Sequence, residues 1–303
     1  MNIIYSRKKR FVYFTISAIL IILSICAIVF IKPKIGIDFS GGTLLELKFK
    51  NDSSKAKIEE EIKKLDFIKG EKVQSTGTNT YLLRINSLDK TQIDTLRSAI
   101  NEKVGEYQEI RLETVGPIVS SDTTTKAIWA TIFASIGIIL YVAYAFRSVP
   151  KPASSWRFGV CAITALIHDL IISVGIYTIL GYFLGFEIDT LFIVAILTIL
   201  GYSVNDTIVI FDRIRENLKM HPEYTFSENV NNSTSQSLAR SLNTSLTVVI
   251  ILLALLFLGG ESIKPFVSLL MIGVTIGTYS SIFVAPPLLI QWQNKIINKT
   301  KNN

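Results

Sequence analysis

The sequence predicts a polytopic α-helical membrane protein that carries one α+β domain outside the lipid. Three observations lead there. Six apolar runs are each long enough to cross a bilayer at about 20 residues per crossing. Of the 303 residues 49% are hydrophobic, and the mean hydropathy is positive. Residues 32–126 break the apolar pattern with a polar interval in which strand and helix signals alternate.

The first run, 11–31, follows Arg7, Lys8, Lys9 and Arg10. Its apolar stretch is too long for a signal peptide, and no small-residue cleavage site follows it, so it is expected to be a retained helix. The remaining runs are 127–146, 158–180, 191–211, 242–258 and 265–289. Basic residues collect in the short loops on one side: Arg7–Arg10, then Arg147, Lys151 and Arg157, then Arg213, Arg215 and Lys219, then Lys295, Lys299 and Lys301. The opposite short loops hold Lys264 among Glu187, Asp189 and Glu261. Positive loops face the cytoplasm, so both termini are expected there, in the inner (cytoplasmic) membrane of a cell. The expected organisation is a cytoplasmic N-terminus at 1–10, a first span at 11–31, an extracytoplasmic domain at 32–126, a five-helix region at 127–290 with a cytoplasmic loop at 212–239, and a cytoplasmic tail at 291–303.

Net charge is +7, yet residues 32–126 hold 16 Lys and Arg against 15 Asp and Glu. The excess is therefore a topogenic signal and a contact for anionic lipid headgroups. No basic stripe lies on a folded domain, so nucleic acid is not an expected partner. Cys26 and Cys161 fall in apolar runs and form no metal or redox spacing.

Within 32–126 the pattern is strand, helix, strand, strand, helix, strand. Leu45, Leu47 and Phe49 alternate as in a strand, and Ile58, Ile62 and Leu65 recur with helical spacing in 55–68. Residues 72–76 and then Tyr81, Leu83 and Ile85 form a hairpin across Gly77, Thr78 and Asn79. Ile93, Leu96, Ile100 and Val104 mark a second helix, and Ile110 with Leu112 a last strand. This order is that of the ferredoxin-like arrangement. The domain has no His or Cys and only scattered carboxylates, so it is expected to bind or brace rather than catalyse.

The candidate site lies in the fourth run. Asp206 is an ionisable group in an apolar span, which costs roughly 2.5–3.5 kcal/mol and usually marks a transport path. Ser203 and Thr207 share a face there, and Tyr202 lies one turn from Asp206, so a polar strip is expected near the cytoplasmic third. Ser237, Arg240, Ser241, Thr244 and Thr247 follow helical spacing and predict a second strip. A nearby guanidinium favours the charged form of a buried carboxyl, so Arg240 is expected to modulate Asp206, or else the two form a buried pair that only fastens helices. In the third run, His168 and Asp169 are adjacent and therefore point about 100° apart, so each is expected to bond a neighbouring helix, with a shared relay as the alternative. Gly273 and Gly277 predict a close-packing seam. The 212–239 connection is expected to hold a short amphipathic helix on the membrane surface.

No phosphate loop, nucleophile beside a His and an acid, or metal spacing is present, so no enzyme, cofactor or metal is expected. Energy then has to come from elsewhere, which favours an ion gradient.

Two motifs carry a resemblance. The joint Gly36-Ile-Asp38-Phe39-Ser-Gly41-Gly42, with paired glycines before a strand, and the run Gly201-Tyr-Ser-Val-Asn205-Asp206-Thr207 leading into Phe211-Asp-Arg-Ile-Arg-Glu-Asn217 resemble the SecF branch of the SecD/SecF family of bacterial export membrane proteins. Val115-Gly116-Pro117 before the second helix agrees, and the resemblance spans nearly the whole chain. It implies membership of the resistance, nodulation and division superfamily, whose members resemble two facing six-helix halves. It further implies a SecD partner as the other half, association with the SecY channel complex, exported unfolded polypeptides as cargo, and use of the proton motive force. By the same resemblance, Asp206, Arg240 and Thr244 belong to a proton pathway. Asn205, His168 and Asp169, read from the residues alone, are a candidate polar relay. A passive scaffold of the channel complex, and half of a small-molecule exporter, are the competing expectations.

Overall fold

The computed structural model describes residues 6–50, 53–70, 72–147, 149–150 and 153–301, with the side chains of residues 7, 76 and 296–301 left aside. Lys151 and the side chains of Arg7, Lys299 and Lys301, all part of the expected basic loops, lie outside the described set. The chain divides into two units, residues 35–129 and the remainder.

In the smaller unit, Gly36 caps a single helical turn, α2 (Ile37–Ser40), which leads directly into β1 (Gly42–Phe49). Helix α3 (Lys55–Lys63), strands β2 (Lys72–Gly77) and β3 (Thr80–Ile85), helix α4 (Lys90–Lys103) and strand β4 (Tyr107–Val115) follow. The four strands pair antiparallel in the order β2-β3-β1-β4, which is the ferredoxin-like order. Because side chains alternate across a strand, Leu45, Leu47, Tyr81, Leu83 and Ile85 reach one face, where Ile58 and Ile62 of α3 and Leu96 and Ile100 of α4 close the core. Helix α3 stops at Lys63, short of the expected Ile68, in turns that end at Gly70 with φ +67°. Helix α4 starts in a capping box between Asp89 and Gln92.

The larger unit holds the membrane helices, except for residues 117–129, the start of one of them, which belong to the smaller unit. Among the described residues, six helices are long and apolar enough to cross a membrane. Helix α1 (Arg7–Cys26) runs on through a π turn at Ala27–Ile31. Helix α5 spans Pro117–Ala145, starting ten residues before the apolar run, since proline suits the first helical turn and Asp122 pairs with Lys126 at 2.7 Å along it. Helices α6 (Ser155–Leu184), α7 (Thr190–Met220) and α8 (Phe226–Leu258) follow.

The expected surface helix in 212–239 is absent from the structure, and the correction has a physical cause. Helix α7 extends to Met220, and α8 begins at Phe226 in a capping box between Thr225 and Glu228, which leaves 221–225 as the connection. Phe226 and Val230, apolar residues of that segment, are buried in the same cluster as Ile214 and Leu218 of α7. Asn217 Nδ2 donates across to Ser233 Oγ at 2.8 Å and Gln236 Oε1 at 2.9 Å.

The last expected span is also divided. Helix α9 (Lys264–Phe283) ends at Val284, and α10 (Ala285–Lys301) begins anew. Pro286 and Pro287 lack the N–H groups that would continue α9, but they are tolerated in the first turn of α10. Helix α9 packs against α6, α7 and α8 together, so it is the central element around which the candidate site is built.

Candidate functional site

Two glycines bring α9 against α7. A Cβ added at Gly273 would stand 2.3 Å from the side chain of Ile199, and one at Gly277 would stand 3.2 Å from Cβ of Ser203. This is the small-residue seam the sequence predicts, and in lipid such close packing is the main source of helix association. In the turn that follows Gly277, α9 presents Thr278, Ser280 and Ser281, all buried.

Asp206 is 7% exposed, and Ser281 Oγ donates to its Oδ2. Asp169, fully buried, accepts from Ser203 Oγ at 2.5 Å and from Ser280 Oγ at 2.7 Å, both on Oδ2. Its Oδ1 meets Nδ1 of His168 at 2.9 Å. The expectation that His168 and Asp169 point to separate neighbours is thus corrected: the two side chains bond each other, and Asp169 also ties α6 to α7 and α9. The 100° between neighbouring residues is bridged by the length of the imidazole arm. A further hydroxyl chain joins α7, α8 and α9, because Tyr202 Oη donates to Ser245 Oγ at 3.1 Å and Thr278 Oγ1 reaches the same oxygen at 2.5 Å.

The strip expected on α8 splits in two. Ser237, Ser241 and Ser245, spaced by four, are buried toward the bundle. Arg240, Thr244 and Thr247 are turned to the other side and exposed, and Asn205 of α7 is exposed as well. Thr244 Oγ1 donates to the Arg240 carbonyl at 2.7 Å. Arg240 has no ion pair among the described residues, and no hydrogen bond joins it to Asp206. It lines a cavity of about 420 Å³ with Asp212, Arg213, Glu216, Gln236 and Ser237. The acids there are already engaged, Glu216 by Arg213 at 2.5 Å and Asp212 by Arg215 at 2.6 Å. The structure therefore brings Asp206 to α9, and it places Arg240, Thr244 and Asn205 on an open face.

Ser245, Thr278, Ser280 and Ser281 were not among the residues the sequence singles out. Their signal is a third member of the Ser237, Ser241 spacing and a polar run Thr278-Tyr-Ser-Ser281 within an apolar helix.

The joint before β1 depends on its glycines. Gly41 has φ +70° and Gly42 φ +129°, and a Cβ on Gly42 would lie 2.7 Å from the carbonyl oxygen of Ile85. Only glycine fits both the conformation and the close approach of β3. Gly36 accepts through its carbonyl from the amides of Phe39 at 3.2 Å and Ser40 at 3.1 Å, with Asp38 and Phe39 on the turn between.

Residues 95–295 match the family described as protein export membrane protein SecD/SecF, C-terminal, and residues 27–53 match the SecD/SecF GG motif, which contains the joint. The chain belongs to the SecD/SecF family. The protein translocase subunit SecF of Thermobaculum terrenum is 39% identical over 95% of this chain and 93% of its own length. That of Anaerolinea thermophila is 36% identical over 94% and 93%. The crystal structure of SecDF, a translocon-associated membrane protein from Thermus thermophilus, superposes with a TM-score of 0.78 at 32% identity, covering 92% of this chain and 37% of that one. This SecF-type chain thus spans little more than a third of the SecDF chain. It is a multi-pass membrane protein and a transport subunit of the Sec translocase.

Proposed function

We propose that this SecF-type subunit is one half of a proton-driven export device, in which Asp206 binds the proton. It pairs with a SecD half, associates with the SecY channel complex, and uses the proton motive force in late steps of moving unfolded polypeptides across the membrane. Both termini face the cytoplasm, and the ferredoxin-like unit acts on the opposite side, as the basic loops predict.

One observation carries this reading: a polar face made of Asn205, Arg240 and Thr244 is open on α7 and α8, while a buried acid lies on the same α7. An arginine facing lipid is costly, up to roughly 2.5–3.5 kcal/mol at the bilayer centre and less toward the interface. A second helical half laid over that face removes the cost and encloses a polar passage beside Asp206. The longer SecDF chain, of which this chain matches 37%, supports the presence of such a half. In the passage Arg240 supplies fixed positive charge, and Thr244 a hydroxyl that holds water.

The test is export into inverted membrane vesicles with the proton gradient imposed or collapsed. Asp206→Asn is expected to abolish the gradient-stimulated part while co-purification with SecD is unchanged. Undiminished stimulation contradicts proton binding at Asp206, and failure of the variant to assemble assigns Asp206 to fastening helices instead.

A further inference from the structure

The α6–α7–α9 seam contains a second acid that proton binding at Asp206 leaves unused. Asp169 is fully buried, and three donors from three helices surround it: His168 Nδ1 at 2.9 Å, Ser203 Oγ at 2.5 Å and Ser280 Oγ at 2.7 Å. A carboxylate offers about four acceptor positions, so nearly all are filled. The imidazole is less well served. With Nδ1 donating to Asp169, Nε2 of the neutral ring is an acceptor, and it is buried without a hydrogen-bond partner among the described residues. A buried, unfilled acceptor is costly unless a proton or a water comes to it.

The serines of α9 have two places to point. Ser280 Oγ lies 2.7 Å from Asp169 and 3.1 Å from the carbonyl of Gly277 on its own helix. Ser281 Oγ meets Asp206 and also lies 3.0 Å from the carbonyl of Thr278. A hydroxyl has one hydrogen, so each serine serves either its acid or its helix. An ionised acid draws the serine hydrogen. A protonated acid brings its own hydrogen, and the serine then accepts it and turns its O–H back to the helix carbonyl.

We propose that Asp169 and His168 form a second proton-binding site, and that the neighbouring hydroxyls of Ser280 and Ser281 couple its occupancy to that of Asp206. The inference rests on the reading of Asp206 as a proton carrier. The step is proton transfer alone: an O–H bond forms at Asp169 or an N–H bond at His168 Nε2, the proton comes from water, and no electrons change hands. Titratable side chains near the pair include Tyr279 of α9, whose ring stacks on His168 with centroids 6.3 Å apart, and Asp206 of α7; the Tyr279 hydroxyl donates to the Tyr13 carbonyl of α1 at 3.1 Å. Ser203, which donates to Asp169, lies three residues before Asp206 on the same face of α7. A rearrangement at either acid therefore reaches α9 at adjacent residues.

Infrared difference spectroscopy of the full chain in lipid nanodiscs, titrated through pH, tests this by following the C=O band of protonated carboxyls. Two buried carboxyl bands are expected. Asp169→Asn should remove one and displace the midpoint of the other, and Asp206→Asn should do the reverse. Ser280→Ala keeps both acids and leaves the fold least disturbed; loss of one charge-assisted hydrogen bond should displace the Asp169 midpoint by about one pH unit. An Asp169→Asn spectrum equal to that of the unaltered chain, or midpoints that do not move in any variant, overturns the proposal. Absence of the Asp206 band with the Asp169 band present overturns the primary reading of Asp206 instead.

Discussion

At the scale of single residues, Gly42 illustrates how much a backbone position can demand. Its φ of +129° and the 2.7 Å between an added Cβ and the Ile85 carbonyl make any side chain strained and clashing. Gly42→Ala is expected to cost about 1–3 kcal/mol from the backbone conformation, with more from the displaced β3. Hydrogen exchange in the full chain would record it as faster exchange of β1 and β3 amides, and unchanged protection would contradict the assignment. The need for glycine was legible in the sequence, since paired glycines before a strand permit the positive φ and close backbone approach that the joint uses. Asp206 was equally legible, because a carboxyl in an apolar run stands out. Its actual partner was not. Ser281 is an ordinary residue between packed helices, and nothing short of the packing of α9 distinguishes it from Ser135 or Ser173, which stay outside the site.

At the scale of elements, the close approach of α7 and α9 decides which side chains meet. Ile199 occupies the space that a Cβ at Gly273 would need, at 2.3 Å. Gly273→Ala is therefore expected to destabilise the bundle by about 1–3 kcal/mol through overpacking. Ile199→Ala removes the obstructing atoms, so the double variant should recover most of the loss, a coupling that thermal unfolding in detergent would measure. Additive effects would contradict the seam. The strands and helices of the smaller unit could be read from periodicity because period-two and helical patterns there are undisturbed by lipid. The membrane helices were found but misjudged at their ends. Apolar runs mark only the part inside hydrocarbon, whereas α5, α7 and α8 continue into polar sequence where capping and packing, such as Thr225 with Glu228 and Phe226 against α7, hold them. Helix α8 also shows why a polar strip is ambiguous: residues three apart and four apart fall on neighbouring but distinct lines, and the bundle buried Ser237, Ser241 and Ser245 while leaving Arg240 and Thr244 outside.

At the scale of the whole molecule, a buried acid network faces inward and an uncovered arginine faces outward. Asp206 and Asp169 are held by adjacent serines of α9, and Arg240, Thr244 and Asn205 lie on the face that a second half would cover. This division explains why the sequence suggested a contact between Asp206 and Arg240 that the chain alone does not make: spacing groups residues along a helix, but the rotation of each helix is set by its neighbours. On the proposed reading, a proton path is a property of the assembly, in which a SecD half would complete the wall. The direct measurement is proton flux into proteoliposomes that contain the chain together with SecD, followed by a trapped pH-sensitive dye after a gradient is imposed. Flux above that of empty liposomes, abolished by Asp206→Asn while the reconstituted amount of both subunits is unchanged, is the predicted result; equal flux in the unaltered and Asp206→Asn assemblies would contradict the account.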